Sequence, residues 1–156
     1  MKPIVKLAIV GLFASSVSQT VLATDSDPKE EAVEYRRAVF EVIKWNFVSI
    51  KNMIKGTTPF EATELAKFAD RIAVLSKMHL DGFVPDSAVG STKHKNEAKP
   101  EIWKKWDDFK AKNTKFEEES AKLAEVAKGG QMEQIKPQFD ATAKACKGCH
   151  DDYRKE

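Results

Sequence analysis

Two thiols and an imidazole stand within five residues near the carboxy terminus, in the run Cys146-Lys147-Gly148-Cys149-His150. C-x-x-C-H is the pattern by which haem is joined covalently to a polypeptide. The reason is helical geometry: residues three and four apart share a face. Both sulfurs can then reach the two vinyl groups on one edge of the macrocycle, while the imidazole turns under the ring toward iron. Gly148, without a side chain, leaves the flat ring room to approach the backbone. The motif therefore predicts one haem c, attached through Cys146 and Cys149, with His150 as an axial iron ligand.

Two other chemistries use the same residue types. A thioredoxin-like pair opens a helix after a strand, whereas this pair lies near the end of the last helical segment. A structural zinc site needs four ligands, and His79 and His94 make a two-cysteine, two-histidine set arithmetically available. A disulfide framework fits poorly, because the chain has only 2 cysteines and they sit three apart.

The compartment favours haem. Met1 to Ala23 reads MKPIVKLAIVGLFASSVSQTVLA, with Lys2 and Lys6 ahead of an apolar stretch around Leu7 to Ala14. That is a secretory signal peptide, predicted to be cut after Ala23; its apolar run is too short and too interrupted by polar residues to span a bilayer. Residues 24–156 then form one domain exported to the periplasm, with no membrane anchor after cleavage. Removing the segment takes away two lysines and no acids, which leaves the basic residues level with the 24 acidic ones. No basic stripe with interleaved aromatics suggests nucleic acid. No paired catalytic carboxylates, nucleophile with a base, or phosphate loop suggests an enzyme.

Four helical segments must position the motif. The first opens at Asp27-Pro28, carries Val33, Phe40, Ile43, Phe47, Ile50 and Ile54 as an apolar stripe, and ends at Gly56. The second is predicted to open at Thr58-Pro59, with Thr58 and Glu61 as a capping box. Leu65, Phe68, Ile72, Leu75 and Met78 or His79 form its buried face, and Asp81-Gly82 stops it. Residues 83–99 form an ordered loop. The third starts at Pro100-Glu101 and runs through Ile102, Trp106, Phe109, Asn113, Phe116, Ser120 and Leu123 to Gly129-Gly130. The fourth begins near Gln131 and continues to Tyr153, with Pro137 either kinking it or marking its true start.

Short first and third connections make neighbours antiparallel, so the fold class is all-α, an up-down-up-down four-helix bundle. That path gathers Tyr35, Arg36, Phe40, Met78, His79, the 83–99 loop, Trp103 and residues 146–154 at one end. Arg154, one turn beyond His150, is placed to donate to a ligand or tune the histidine; as a basic residue at a helix end it also simply suits the dipole.

The chain resembles the cytochromes c′ over nearly all of its mature length. The matching blocks are Tyr35-Arg36-Arg37 with Phe40, Trp45-Asn46-Phe47, Lys55-Gly56, Lys99-Pro100-Glu101-Ile102-Trp103, and Cys146 through Arg154. The resemblance implies five-coordinate iron, with Phe40 covering the face opposite His150 without bonding to it. It further implies binding of nitric oxide and carbon monoxide, exchange of electrons with redox partners, and no hydrogen bond to steady bound dioxygen. By the same resemblance Arg36 is a partner for a haem propionate, with Arg37 and Lys99 as weaker ones. A homodimer through the first two helices is implied as well, with Val39, Val42 and Trp45 either in its interface or completing the core. The competing arrangement bonds Met78, His79 or His94 to iron and gives a six-coordinate electron-transfer centre.

Overall fold

A computed structural model describes residues 27–156; the predicted signal peptide and its expected cleavage after Ala23 lie outside the described residues. Five helices follow in order: α1 (Pro28–Lys55), α2 (Ala62–Leu75), α3 (Glu101–Lys104), α4 (Trp106–Lys128) and α5 (Met132–Tyr153), with a 3₁₀ turn at His79–Gly82 between α2 and α3. α3 is a single turn leading into α4, so the long helices are four. α1 packs on α2, α2 on α4 and α4 on α5, and stacked rings of Phe47 and Phe139, 4.2 Å apart, tie α1 to α5. This is the predicted four-helix bundle. Among the described residues, no helix is long and apolar enough to cross a membrane.

α1 starts as predicted. Asp27 accepts a hydrogen bond from the Lys29 N–H, Pro28 occupies the first helical position, and Gly56 closes the helix with φ 73°. Its buried stripe is Val33, Arg36, Val39, Ile43, Asn46 and Ile50. Spacings of three and four are kept, but two polar residues lie inside it. Val39 completes the core, while Val42 and Trp45 stay exposed.

α2 begins at Ala62, not at Thr58-Pro59. The N–H groups of Thr57 and Thr58 both bond the Asn52 carbonyl, and Thr57 Oγ1 donates to it as well. Thr58 therefore helps close α1 and cannot cap the next helix. The first α2 bond, from Leu65 N–H to the Glu61 carbonyl, makes Glu61 the cap rather than the third residue of a capping box. The third segment is also interrupted. Lys105, at φ −124° and ψ 46°, resets the backbone after one turn, and both sides of the break bury a large apolar residue, Ile102 and Phe109. Pro137 does not mark the start of α5, which runs unbroken from Met132 through it.

α4 and α5 are joined by a charged knot at the edge of the core. Glu119 receives Lys115 Nζ at 2.8 Å, Lys122 Nζ at 3.1 Å and Gln138 Nε2 at 2.7 Å, and its backbone carbonyl accepts from Thr142 Oγ1. Lys115 foremost, then Gln138 and Lys122, pull its carboxyl from the ordinary 4.5 down to about 2. A depressed carboxylate stabilises the fold fully above its unfolded value and loses that stabilisation as pH falls toward the folded one. Glu119→Gln is therefore expected to cost about 1–2 kcal/mol at neutral pH, after screening by solvent. In urea melts the gap to the parent protein should close between pH 4.5 and about 2.

Candidate functional site

The end of the bundle that carries the motif is built on a buried cation. Arg36, on α1, is 3% exposed. Its Nη1 donates to the Gly82 carbonyl at 2.9 Å and Ser87 Oγ at 2.7 Å; its Nη2 donates to the Ser87 carbonyl at 2.6 Å and Asn96 Oδ1 at 3.1 Å. Its guanidinium carbon lies 4.7 Å from the centre of the Phe83 ring. Burial lowers its pKa to about 10, so it stays charged at neutral pH. The sequence suggested a propionate partner, but the structure commits both terminal nitrogens of Arg36 to protein acceptors that order the 83–99 loop. Gly82 permits this approach: a Cβ there would lie 2.6 Å from Arg36 Cβ and 2.8 Å from the Ala32 carbonyl.

The ordered loop then clasps the end of α5. Ala98 and Arg154 form an isolated antiparallel bridge. Lys99 N–H donates to the Tyr153 carbonyl at 2.9 Å and Lys155 N–H to the Glu97 carbonyl at 2.7 Å. Lys99 Nζ donates to the Asp151 carbonyl, satisfying one of the free carbonyls in the last turn of α5. Arg154 is extended rather than helical, at φ −108° and ψ 130°, and its Nε meets Glu97 Oε2 at 2.6 Å. It does not continue the helix face of His150, yet both line one polar cleft of about 270 Å³ with Glu97, Asp151, Lys155 and Glu156. Arg37 is exposed.

Within α5 the two thiols are free and half-buried. Cys146 packs against the main core that contains Val39, Ile43 and Phe116; Cys149 packs against a second cluster of Phe83, Ala98, Ile102, Phe109 and Tyr153. The sulfurs thus face the seam between two apolar clusters. Burial pushes both pKa values up to about 11, for Cys146 with help from Cys149. Thiols that stay protonated at neutral pH do not act as a thioredoxin-like thiolate pair. His150 is exposed, and neither imidazole nitrogen makes a hydrogen bond among the described residues. Burial of part of the ring and then the Arg154 charge lower its pKa, favouring the neutral imidazole that a metal requires.

Rings connect α1 to this motif. Phe40 lies 4.6 Å from His79, Phe83 4.8 Å from Phe109, and Phe109 5.3 Å from Tyr153, centre to centre. Trp103 Nε1 donates to the Phe83 carbonyl. Phe40 itself is 37% exposed, at the rim of the core rather than inside it. Of the alternative sixth ligands, His79 is buried beside Phe40. Met78 is exposed, with its carbonyl accepting from Tyr35 Oη, and His94 sits 3.8 Å from Glu30 and 3.9 Å from Glu34. His79 is buried beside Phe40 while His94 lies against Glu30 and Glu34, so no two-cysteine, two-histidine zinc set is assembled among the described residues.

Sequence reasoning missed Ser87, Asn96 and Glu97. All three lie in a polar loop where nothing in the sequence separates an anchor from a solvated residue.

The donor set fits a haem: two free neutral thiols on one helix face, an adjacent imidazole without a partner, and apolar clusters on both sides. Fold and site together define a helical-bundle protein of the c-type haem class. The chain belongs to the cytochrome c′ family, whose sequence model matches residues 31–154; its members carry an iron-bearing haem c. It is similar to cytochrome c prime from Shewanella frigidimarina, at 41% identity and TM-score 0.76, over 84% of this chain and 98% of that one. It is also similar to a cytochrome c′ with an unusual ligand-controlled dimer dissociation, at 28% identity and TM-score 0.77, over 84% of this chain and 98% of that one. A nitric oxide complex of a point mutant of cytochrome c prime from Alcaligenes xylosoxidans matches at 29% identity and TM-score 0.74, over 82% of this chain and 97% of that one.

Proposed function

We propose that this chain is exported to the periplasm and carries one haem c bound through Cys146 and Cys149, with His150 as the only protein ligand to iron. Phe40 covers the opposite face, and small gases, nitric oxide and carbon monoxide, bind there. The protein exchanges electrons with redox partners and binds ligands rather than catalysing a reaction. The carrying observation is the pair of free thiols facing the bundle seam beside an unpartnered neutral imidazole. When bound, the haem supplies the redox-active, gas-binding iron. The residues around it do the rest: His150 offers a lone pair, partial burial and then the Arg154 charge favour its neutral form, and Phe40 and Phe83 exclude water. Lys99 and Arg37 stand at the same end as cations toward propionates. Exposed Val42, Trp45 and Val48 on α1 and Val74 near the end of α2 supply an apolar face for a homodimer, in keeping with the dimer described for one relative.

Coordination separates this reading from the six-coordinate one, for which the burial of His79 beside Phe40 is the favouring observation. The ferrous protein is expected to show a high-spin spectrum that changes sharply on addition of nitric oxide. A low-spin spectrum indifferent to the gas would establish the electron-transfer centre instead.

A further inference from the structure

Most of the buried polar side chains are held by their neighbours. Arg36, Glu119 and Thr142 each make several hydrogen bonds. Asn46 and Asn113 keep one free oxygen apiece, but their amide nitrogens donate to Val42 and Glu117. His79 differs. It is 4% exposed, and its Nδ1 is buried with no hydrogen-bond partner. The Leu75 carbonyl and the Asn113 side chain are polar neighbours that favour its charged form, but burial outweighs them and lowers its pKa, and Nδ1 itself meets no partner.

A buried ring nitrogen left without a partner, whether as donor or as acceptor, costs about 1–3 kcal/mol and calls for a reason. The setting provides one. The His79 ring lies 4.6 Å from Phe40, 6.0 Å from Phe116 and 6.4 Å from Phe83, so it is the polar member of an otherwise apolar ring cluster. Phe40 is 37% exposed, so it covers His79 from the rim of the core.

We propose that His79 is a hydrogen-bond donor to a small ligand bound on the Phe40 side of the haem. This rests on the gas-binding reading above and sharpens it. The family resemblance implies an apolar cover with no donor for dioxygen; here an imidazole stands behind that cover. A neutral imidazole has one N–H, which can point to the outer atom of a diatomic ligand once Phe40 moves aside. Ligands that gather negative charge on that atom, dioxygen above all, gain most, and carbon monoxide gains enough to report the contact.

The test uses the holoprotein and carbon monoxide as probe. In His79→Leu the carbonyl stretching band of the ferrous adduct should move to higher wavenumber, and dioxygen should dissociate about three- to tenfold faster. His79→Gln, which keeps a donor, should restore both in part. If H79L does not accumulate as folded holoprotein, a shift of the parent band between water and heavy water is the expected result, and its absence overturns the proposal. An unchanged band and rate in H79L would overturn the donor role while leaving the gas reading intact. A parent spectrum that is low-spin and becomes high-spin in H79L would make His79 an iron ligand and overturn both. A ferrous protein that takes up no carbon monoxide would sink the gas reading, and this proposal with it.

Discussion

Replacing Cys146 and Cys149 together by alanine is expected to give a colourless protein after export, with the mass of its processed polypeptide. Each single replacement should retain haem through one thioether, with a shifted spectrum and lower yield. The prediction follows from placement. Each sulfur faces a different apolar cluster, so either alone can anchor one edge of the ring, but no other thiol exists to substitute for both. A cofactor that binds only the native chain also stabilises it, so the double variant should melt at lower temperature than the parent. His150→Ala separates attachment from ligation: haem should remain covalently bound, with the spectrum of an iron that has lost its protein ligand. The checks are mass spectrometry and absorption spectra of the exported proteins.

The second large effect is expected away from the motif. Arg36→Leu removes four hydrogen bonds from a buried guanidinium and leaves the Gly82 and Ser87 carbonyls to find other partners, while Asn96 Oδ1 keeps only the Ala98 N–H and Ser87 Oγ only the Val84 carbonyl. Hydrogen bonds to a charged donor are the stronger kind, and stranded buried acceptors add to the loss, so the variant should be less stable by about 3–5 kcal/mol. For a domain of this size that lowers Tm by roughly 10–20 °C. Arg36→Lys keeps the charge but not the planar fork and should recover only part of the stability. The damage should be local as well as global. With the loop released, limited proteolysis is expected to cut between residues 83 and 98 before anywhere else among the described residues. Denaturant melts and a timed digest measure the two parts.

These two expectations differ in how far they could be read from the amino acids. The attachment motif is contiguous, so its chemistry was legible before any fold was known, and the helix periodicity placed Ile43, Ile50, Leu65, Ile72 and Leu123 correctly in the core. Arg36 was not legible in its actual role. An arginine in an apolar stripe looks like a solvated or cofactor-facing charge until its acceptors are known, and those lie 46 to 60 residues away in an irregular loop. The start of α2 failed for a local reason. Thr58 and Glu61 have the spacing of a capping box, but the end of α1 takes up the Thr58 N–H first. Arg154 illustrates the limit of helical extrapolation, because the bridge to Ala98 pulls it out of the helix one residue after Tyr153. His79 could be placed on the buried face of its segment, in competition with Met78; that its Nδ1 lacks a partner needed coordinates.

The most direct test of the central claim is the intact mass and pyridine haemochrome spectrum of the parent protein, produced with haem-attachment machinery and recovered from the periplasm. The account predicts one haem per chain that survives denaturation and a haemochrome typical of two thioether bonds. A folded, exported protein that is colourless, or that loses its haem on denaturation, would contradict it.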